Sequence, residues 1–269
     1  MIDLHCHILP GLDDGSPDWE NTLAMARLAV EDGIEGVVCT PHCIFGMFDN
    51  TRSLVLEATE KLRKRLLEES IPLEVYPGSE LRLDFNLPRR IESREVLTLN
   101  DTGRYALIKL PEDVLPQHMA NFFWDLQSQG ITPLIAHPER NEVLIRHPAR
   151  LYRWVEMGVL TQVTAASILG RFGKETRSFS ISLMEHNLVH VLATDSHGPK
   201  SRVPKLTEGL KAAEKIVGEQ RAREMVLETP SRIIRGESVS THDPIPFKSR
   251  SHHSSFFKRF FSFVGRSSR

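Results

Sequence analysis

Seven short runs rich in Val, Ile, Leu and Thr recur along the chain, and most of them stop at a polar cluster. They lie near residues 2–6, 36–41, 73–79, 105–110, 132–137, 161–166 and 189–195. Several are continuously apolar instead of alternating, the pattern of strands buried on both faces of a parallel sheet. Between them stand segments with helical spacing. In SPDWENTLAMARLAVEDG, Ser16 is the expected N-cap and Pro17 the first helical residue. Leu23, Ala26 and Val30 share a face, and Gly33 closes the segment. In NTRSLVLEATEKLRKRLLEES, Leu54, Ala58, Leu62 and Leu66 repeat every four residues, with Glu60 four before Lys64. Similar stretches occupy roughly 117–130, 147–158, 174–187 and 203–219. Strand and helix in repeated alternation predict parallel strands joined by right-handed crossovers, hence an α/β barrel or an open doubly wound sheet.

Composition narrows the class. An apolar fraction of 40% and a charged fraction of 26% are those of an ordinary globular chain. The 269 residues suit one α/β barrel with a large core. A net charge of −1 gives no argument for a nucleic-acid partner. No run approaches the length of a membrane span, and the N-terminus lacks a secretory pattern. Cys6, Cys39 and Cys43 are too few and too bunched for a disulfide framework, so a reducing, cytoplasmic setting is expected.

The polar clusters carry the chemistry. His5 and His7 end the first run, His42 the second, Glu80 the third, His137 the fifth, and Asp195 with His197 the seventh. In a parallel barrel the carboxyl ends of the strands converge on one face, which Asp14, in the loop after the first strand, can also reach. Taken singly, each motif reads as readily as a hydrogen-bonded strand end. Taken together, five imidazoles and three carboxylates at one face would be costly to bury, and divalent cations remove that cost.

The set DLHCH, DDGS, TPH, GSE, AHPER, TQVTAAS and TDSH resembles the polymerase and histidinol phosphatase (PHP) superfamily. Within it, order and spacing resemble the bacterial metal-dependent protein-tyrosine phosphatases of capsule and exopolysaccharide operons. The likeness runs from residue 1 to TPSRIIRGE near 229–237. It implies a distorted (β/α)7 barrel over 1–241 with two or three divalent ions, Mn first and Fe or Zn next. It places His5, His7, Glu80 and Asp195 around one metal, has Glu80 bridge to a second that also takes His137, and sets a third among Asp14, His42 and His197. Arg140 matches the arginine placed near the substrate phosphate, where a planar fork holds two oxygens at once. The implied reaction is hydrolysis of phosphotyrosine by a metal-bound hydroxide. The implied substrate is a membrane-associated tyrosine kinase of polysaccharide export. A small-molecule phosphoesterase of the histidinol-phosphatase kind is the alternative within the superfamily.

A cysteine-dependent mechanism is excluded, since it needs an arginine six residues after its cysteine. Leu12, Phe45 and Asp49 stand there instead. Cys6, facing away from both histidines, reads as a small core residue. One position departs from the resemblance: the fourth run carries Lys109 where a ligand glutamate is implied, and protonated lysine offers no lone pair. Several readings stay open there: Glu112 moves into the place, Lys109 is carboxylated, the second metal is weak or absent, or the register is off by one and Lys109 points to solvent. A non-catalytic, degenerate member is the reading from a different class.

Two segments are softer. CIFGMFDN follows His42 and reads as a loop over the site, with Phe45, Met47 and Phe48 as candidate contacts to a phosphotyrosine ring. The tail from 242 onward is basic and Phe-rich, with six Lys or Arg and six of the thirteen phenylalanines after Pro244. A helix over 256–264 would set Phe256, Phe257, Phe260, Phe261 and Val264 against Lys258 and Arg259, suited to an anionic inner-membrane surface; a disordered, solvated tail is the other reading.

Overall fold

A computed structural model describes residues 1–247; the amphipathic helix anticipated at 256–264 lies outside the described residues. Nine strands are present among them: β1 Ile2–Cys6, β2 Gly36–Cys39, β3 His42–Cys43, β4 Glu74–Pro77, β5 Glu80–Arg82, β6 Tyr105–Lys109, β7 Thr132–Ala136, β8 Leu160–Thr164 and β9 Val191–Ala193. All pairings are parallel, in a three-stranded sheet β1-β2-β4 and a six-stranded sheet β3-β5-β6-β7-β8-β9.

Two of the seven anticipated runs are broken. Pro41, which has no N–H for a ladder, separates β2 from β3, and Gly78–Ser79 separates β4 from β5. His42 and Glu80 therefore open new short strands and pair with each other in register. Gly78 is required at its break, because a Cβ there would stand 2.7 Å from Val38 Cγ1. The sixth run also ends early, at Thr164, where a short helix begins.

Helices α1 Trp19–Glu31, α2 Arg52–Glu68, α3 Leu87–Glu92, α4 Met119–Ser128, α5 Glu142–Arg146, α6 Ala149–Glu156, α7 Ala165–Ile168, α8 Lys174–Glu185, α9 Thr207–Val217, α10 Glu219–Glu224 and α11 Glu228–Ile234 fill the connections. The start of α1 corrects the anticipated cap: Asp18, not Ser16, accepts from the Asn21 N–H at 2.8 Å. Ser16 is buried, its hydroxyl donating to the Asp18 carbonyl, so Pro17 lies outside the helix. On α2 the buried stripe is Val55, Thr59, Leu62 and Leu66, so the face starts one residue later than the Leu54 repeat predicted and leaves Leu54 exposed. Glu60 pairs with Arg63, not Lys64.

Alternate strand residues enter two cores. Leu4, Val38, Leu107, Leu134 and Ala136 pack in one, while Val37, Cys39, Ala106, Ile108 and Ile135 pack against the helices in the other. Burial on both faces accounts for the continuous apolar runs. Asp3 ties β1 to the end of β9: Oδ1 accepts from the Thr194 N–H at 2.9 Å, and the Thr194 hydroxyl donates to Oδ2. Residues 242–247 pass the end of α8, with the Ile245 N–H donating to the His186 carbonyl and Phe247 stacked on the His186 ring. No helix among the described residues is long and apolar enough to cross a membrane.

Candidate metal centre

The carboxyl end of β1 sets His5 and His7 side by side. A register shift between Asp3 and Cys6 in the β1–β2 pairing marks an irregularity there, of the kind that re-aims side chains at strand ends. Each imidazole is held from behind. His5 Nδ1 donates to Gln162 Oε1 at 2.9 Å and His7 Nδ1 to Asp13 Oδ2 at 2.7 Å. With Nδ1 occupied in each, the two Nε2 atoms face each other at 3.1 Å, one carrying the proton that the other accepts. His5 Nε2 also stands 3.6 Å from Glu80 Oε1 and 3.3 Å from Asp195 Oδ1.

A second group adjoins this one. His7, Asp14, His42 and His197 bring one ligand atom each to within 4.8 Å of one another, as do His5, His7 and Glu80. His42 Nε2 is 3.2 Å and His197 Nε2 3.6 Å from Asp14 Oδ1. His42 Nδ1 and Glu80 Oε2 are 2.5 Å apart, a buried imidazole–carboxylate contact that joins the two groups. His137 completes the gathering, its Nε2 at 2.8 Å from Glu80 Oε1.

Electrostatics follow from this crowding. Burial opposes ionisation of Glu80 and Asp195, but the surrounding histidines, and Arg140 at Asp195, hold both carboxyls well below the usual range. Burial also opposes a charged His7, yet Asp13 and Asp195 outweigh it and raise its pKa to about 10. His137 is pushed down to about 4 by burial and then by Arg140, and His197 to about 2 by burial and then by His7. His137 (φ 32°) and Asp195 (φ 50°) both occupy the left-handed region just past their strands, a backbone cost concentrated at the site.

Arg140 lines the cleft beside Asp195. Its Nη2 donates to Thr164 Oγ1 at 2.7 Å and to Asp195 Oδ2, and its guanidinium lies 4.5 Å over the Phe172 ring. Asp195 thus divides its oxygens, Oδ1 toward the histidines and Oδ2 toward cations. Lys109 ends β6, half-buried, and lines the same cleft as Asp14, His42, His137 and Arg140. Glu112 lines this cleft as well. Of the loop phenylalanines, Phe48 stacks on His42 at 5.7 Å, while Phe45 is 84% exposed.

Four residues escaped the sequence reading. Asp13 shapes its turn through the Gly15 N–H and also holds His7 and the His42 N–H. Gln162 carried one signal, a polar residue inside an apolar run. Arg202, whose Nη2 donates to Asp195 Oδ2 at 2.5 Å, and Thr164 carried none. Cys6, Cys39 and Cys43 are buried and burial raises all three thiols, Cys39 to about 12, so none is poised as a nucleophile.

The family described as capsular polysaccharide synthesis, CpsB/CapC, matches residues 1–235. The chain belongs to the CpsB/CapC family. It is 41% identical over 250 residues to the tyrosine-protein phosphatase YwqE of Bacillus subtilis (strain 168), covering 93% of this chain and 98% of that protein. It is 29% identical over 244 residues to the tyrosine-protein phosphatase CpsB of Streptococcus pneumoniae, covering 89% and 100%. A solved structure from work on YwqE and CpsB, there called unique metal-dependent tyrosine phosphatases, superposes with a TM-score of 0.88 at 41% identity, over 92% of this chain and 100% of the other. Histidinol phosphate phosphatase of Lactococcus lactis, with a TM-score of 0.52 at 15% identity over 82% of this chain and 93% of that one, shares the fold alone.

Proposed function

We propose that this CpsB/CapC member is a metal-dependent phosphatase that hydrolyses phosphotyrosine on a tyrosine kinase of polysaccharide export. The observation that carries the reading is the pair of His5 and His7 Nε2 atoms, 3.1 Å apart and hemmed by Glu80 and Asp195. In the metal-free chain a proton between these nitrogens holds the pair together, and a divalent cation there would displace it and take both as ligands. The donor set, imidazole and carboxylate without thiolate, fits Mn, Fe or Zn alike, and the preference for Mn rests on the resemblance.

His5, His7, Glu80 and Asp195 hold one ion; Asp14, His42 and His197 hold another. Glu80 and His137 offer a further place, which Lys109 weakens by bringing an ammonium to the cleft. Bound divalent ions would polarise the phosphate ester and bring the pKa of water near neutral. The chain itself supplies orientation. Asp13 and Gln162 fix the imidazole tautomers. Arg140, backed by Phe172, and Arg202, which shares Asp195 Oδ2 with it, would offer their guanidinium groups to phosphate oxygens. Phe45 and Phe48, on the loop after His42, flank the tyrosine ring.

The strands form a distorted (β/α)7 barrel of the PHP type. β2 with β3 and β4 with β5 are single interrupted staves, and support comes from the Cys6–Ser196 bridge and the Asp195 N–H donating to the His5 carbonyl at 2.8 Å, which join β1 to the chain after β9. The protein works in the cytoplasm at the inner face of the membrane, where the kinase resides. A phosphotyrosine peptide and histidinol phosphate assayed side by side test the reading; preference for histidinol phosphate would replace it with the small-molecule alternative.

A further inference from the structure

Arg202 lines two spaces at once. One is the metal cleft; the other is a neighbouring cavity of about 200 Å³ with Ala166, Leu169, Phe172 and Val203 on its walls. The two are joined a second time through Arg140, which lines the cleft while resting on Phe172. At Leu169 and Glu208 the cavity meets a shallower groove of about 400 Å³, whose lining includes Ile168, Ile181, Ala212 and Ile216 from α7, α8 and α9. An apolar path therefore leads away from the phosphate end of the site over the outer helices.

The rim of this path has one sign. Arg171 and Lys205 border the cavity, and Arg177, Lys211 and Lys215 border the groove. The one carboxylate in either lining, Glu208, is paired with Arg171 at 3.3 Å. Lys205, Lys211 and Lys215 are exposed, so their stems can cover apolar groups while their ammonium heads stay hydrated. An apolar floor with a cationic border complements a chain segment bearing aliphatic and acidic side chains.

We infer that the cavity and groove bind the stretch of protein substrate flanking the phosphotyrosine, selecting acidic and aliphatic residues there. The inference rests on the phosphotyrosine reading above and adds a docking surface to it. The contribution is to recognition of the polypeptide and leaves chemistry at the phosphate unchanged. Cation attraction at an exposed rim is screened by salt, so the selection weakens as ionic strength rises.

The test is steady-state kinetics of the full chain, loaded with Mn, on three substrates. They are p-nitrophenyl phosphate, a phosphotyrosine peptide with Glu and Leu on both flanks, and the same peptide with Gln for Glu. In the wild type the acidic peptide should have the lower KM of the two peptides. The double variant Lys211→Glu, Lys215→Glu, changed only at exposed helix positions, should raise the acidic-peptide KM about tenfold, the combined effect of two reversed surface charges. Its kinetics on p-nitrophenyl phosphate should not move. Equal KM for both peptides in the wild type, or an acidic-peptide KM untouched by the double variant, would overturn the inference while leaving the phosphatase reading intact. A change in sedimentation of the variant without a change in KM would assign the groove to a second copy of the chain and overturn it likewise. A wild type inactive on all three substrates would instead bring down the phosphatase reading itself, and the docking surface with it.

Discussion

His5 and His7 meet through their Nε2 atoms at 3.1 Å because Gln162 and Asp13 engage the opposite ring nitrogens. The two Nε2 atoms are thereby aimed at one point before any ion arrives. Asp13→Asn should keep a neutral partner at His7 but lose the charge that fixes its tautomer. Metal affinity should drop roughly 10- to 100-fold, the usual cost of losing such a supporting group. Melting temperature measured against Mn concentration checks this; an unchanged midpoint would mean Asp13 serves only the turn.

Lys109 gives a prediction in metal count. It lines the cleft beside His137, where Glu80 is the neighbouring carboxylate. Lys109→Glu should raise the metal bound per chain by about one ion, since it replaces an ammonium with a ligand. Lys109→Met should leave the count near the wild-type value. Elemental analysis after dialysis against Mn decides, and identical counts in all three proteins would show that residue 109 does not face the metals.

How much of this was legible in the sequence depends on what each residue advertises. His5, His7, His42, Glu80, His137, Asp195 and His197 stand at or beside the ends of apolar runs, and parallel packing carries such ends to one face whatever the loops do. The breaks at Pro41 and Gly78 were missed because a run of apolar residues looks the same whether one strand or two. The α1 cap was misplaced because Ser16, Asp18 and Pro17 all suit a helix start, and only the burial of Ser16 selects Asp18. Arg202 was invisible for a different reason: its partner Asp195 is fixed by the fold of the loop after β9, and nothing local marks it.

Gly15 is the tightest point of the first loop. A Cβ there would lie 2.3 Å from the His7 carbonyl oxygen, with backbone on both sides of the clash. Gly15→Ala should force the Asp13–Asp14 turn away from His7, costing about 1–3 kcal/mol of stability as overpacked sites do. The expected kinetic result is a larger loss of activity at low Mn than at saturating Mn. Wild-type stability and metal response would contradict the packing described.

His190 should make the chain acid-sensitive at a point outside the metal site. It is buried, its Nδ1 accepts from the Thr161 N–H at 3.0 Å, and burial, then the charges of Arg221 and His242, lower its pKa to about 4. The unfolded chain takes up a proton near pH 6.5 that the folded chain refuses, so stability falls as pH drops from about 6.5 to about 4 and then levels. The loss from this residue is of order 3 kcal/mol at most. His190→Asn, which keeps an acceptor for Thr161, should flatten that window in urea titrations across pH. A slope unchanged by the substitution would place the acid sensitivity elsewhere.

Phosphate release from a phosphotyrosine peptide, followed in chelator-stripped protein as Mn is returned, tests the role of the paired histidines most directly. The stripped protein should be inactive, activity should return with Mn in the wild type and in Cys6→Ser, Cys39→Ser, Cys43→Ser, and Arg140→Lys should stay well below wild type at saturating Mn. Activity that survives stripping and is lost on alkylating the cysteines would contradict a metal-dependent mechanism.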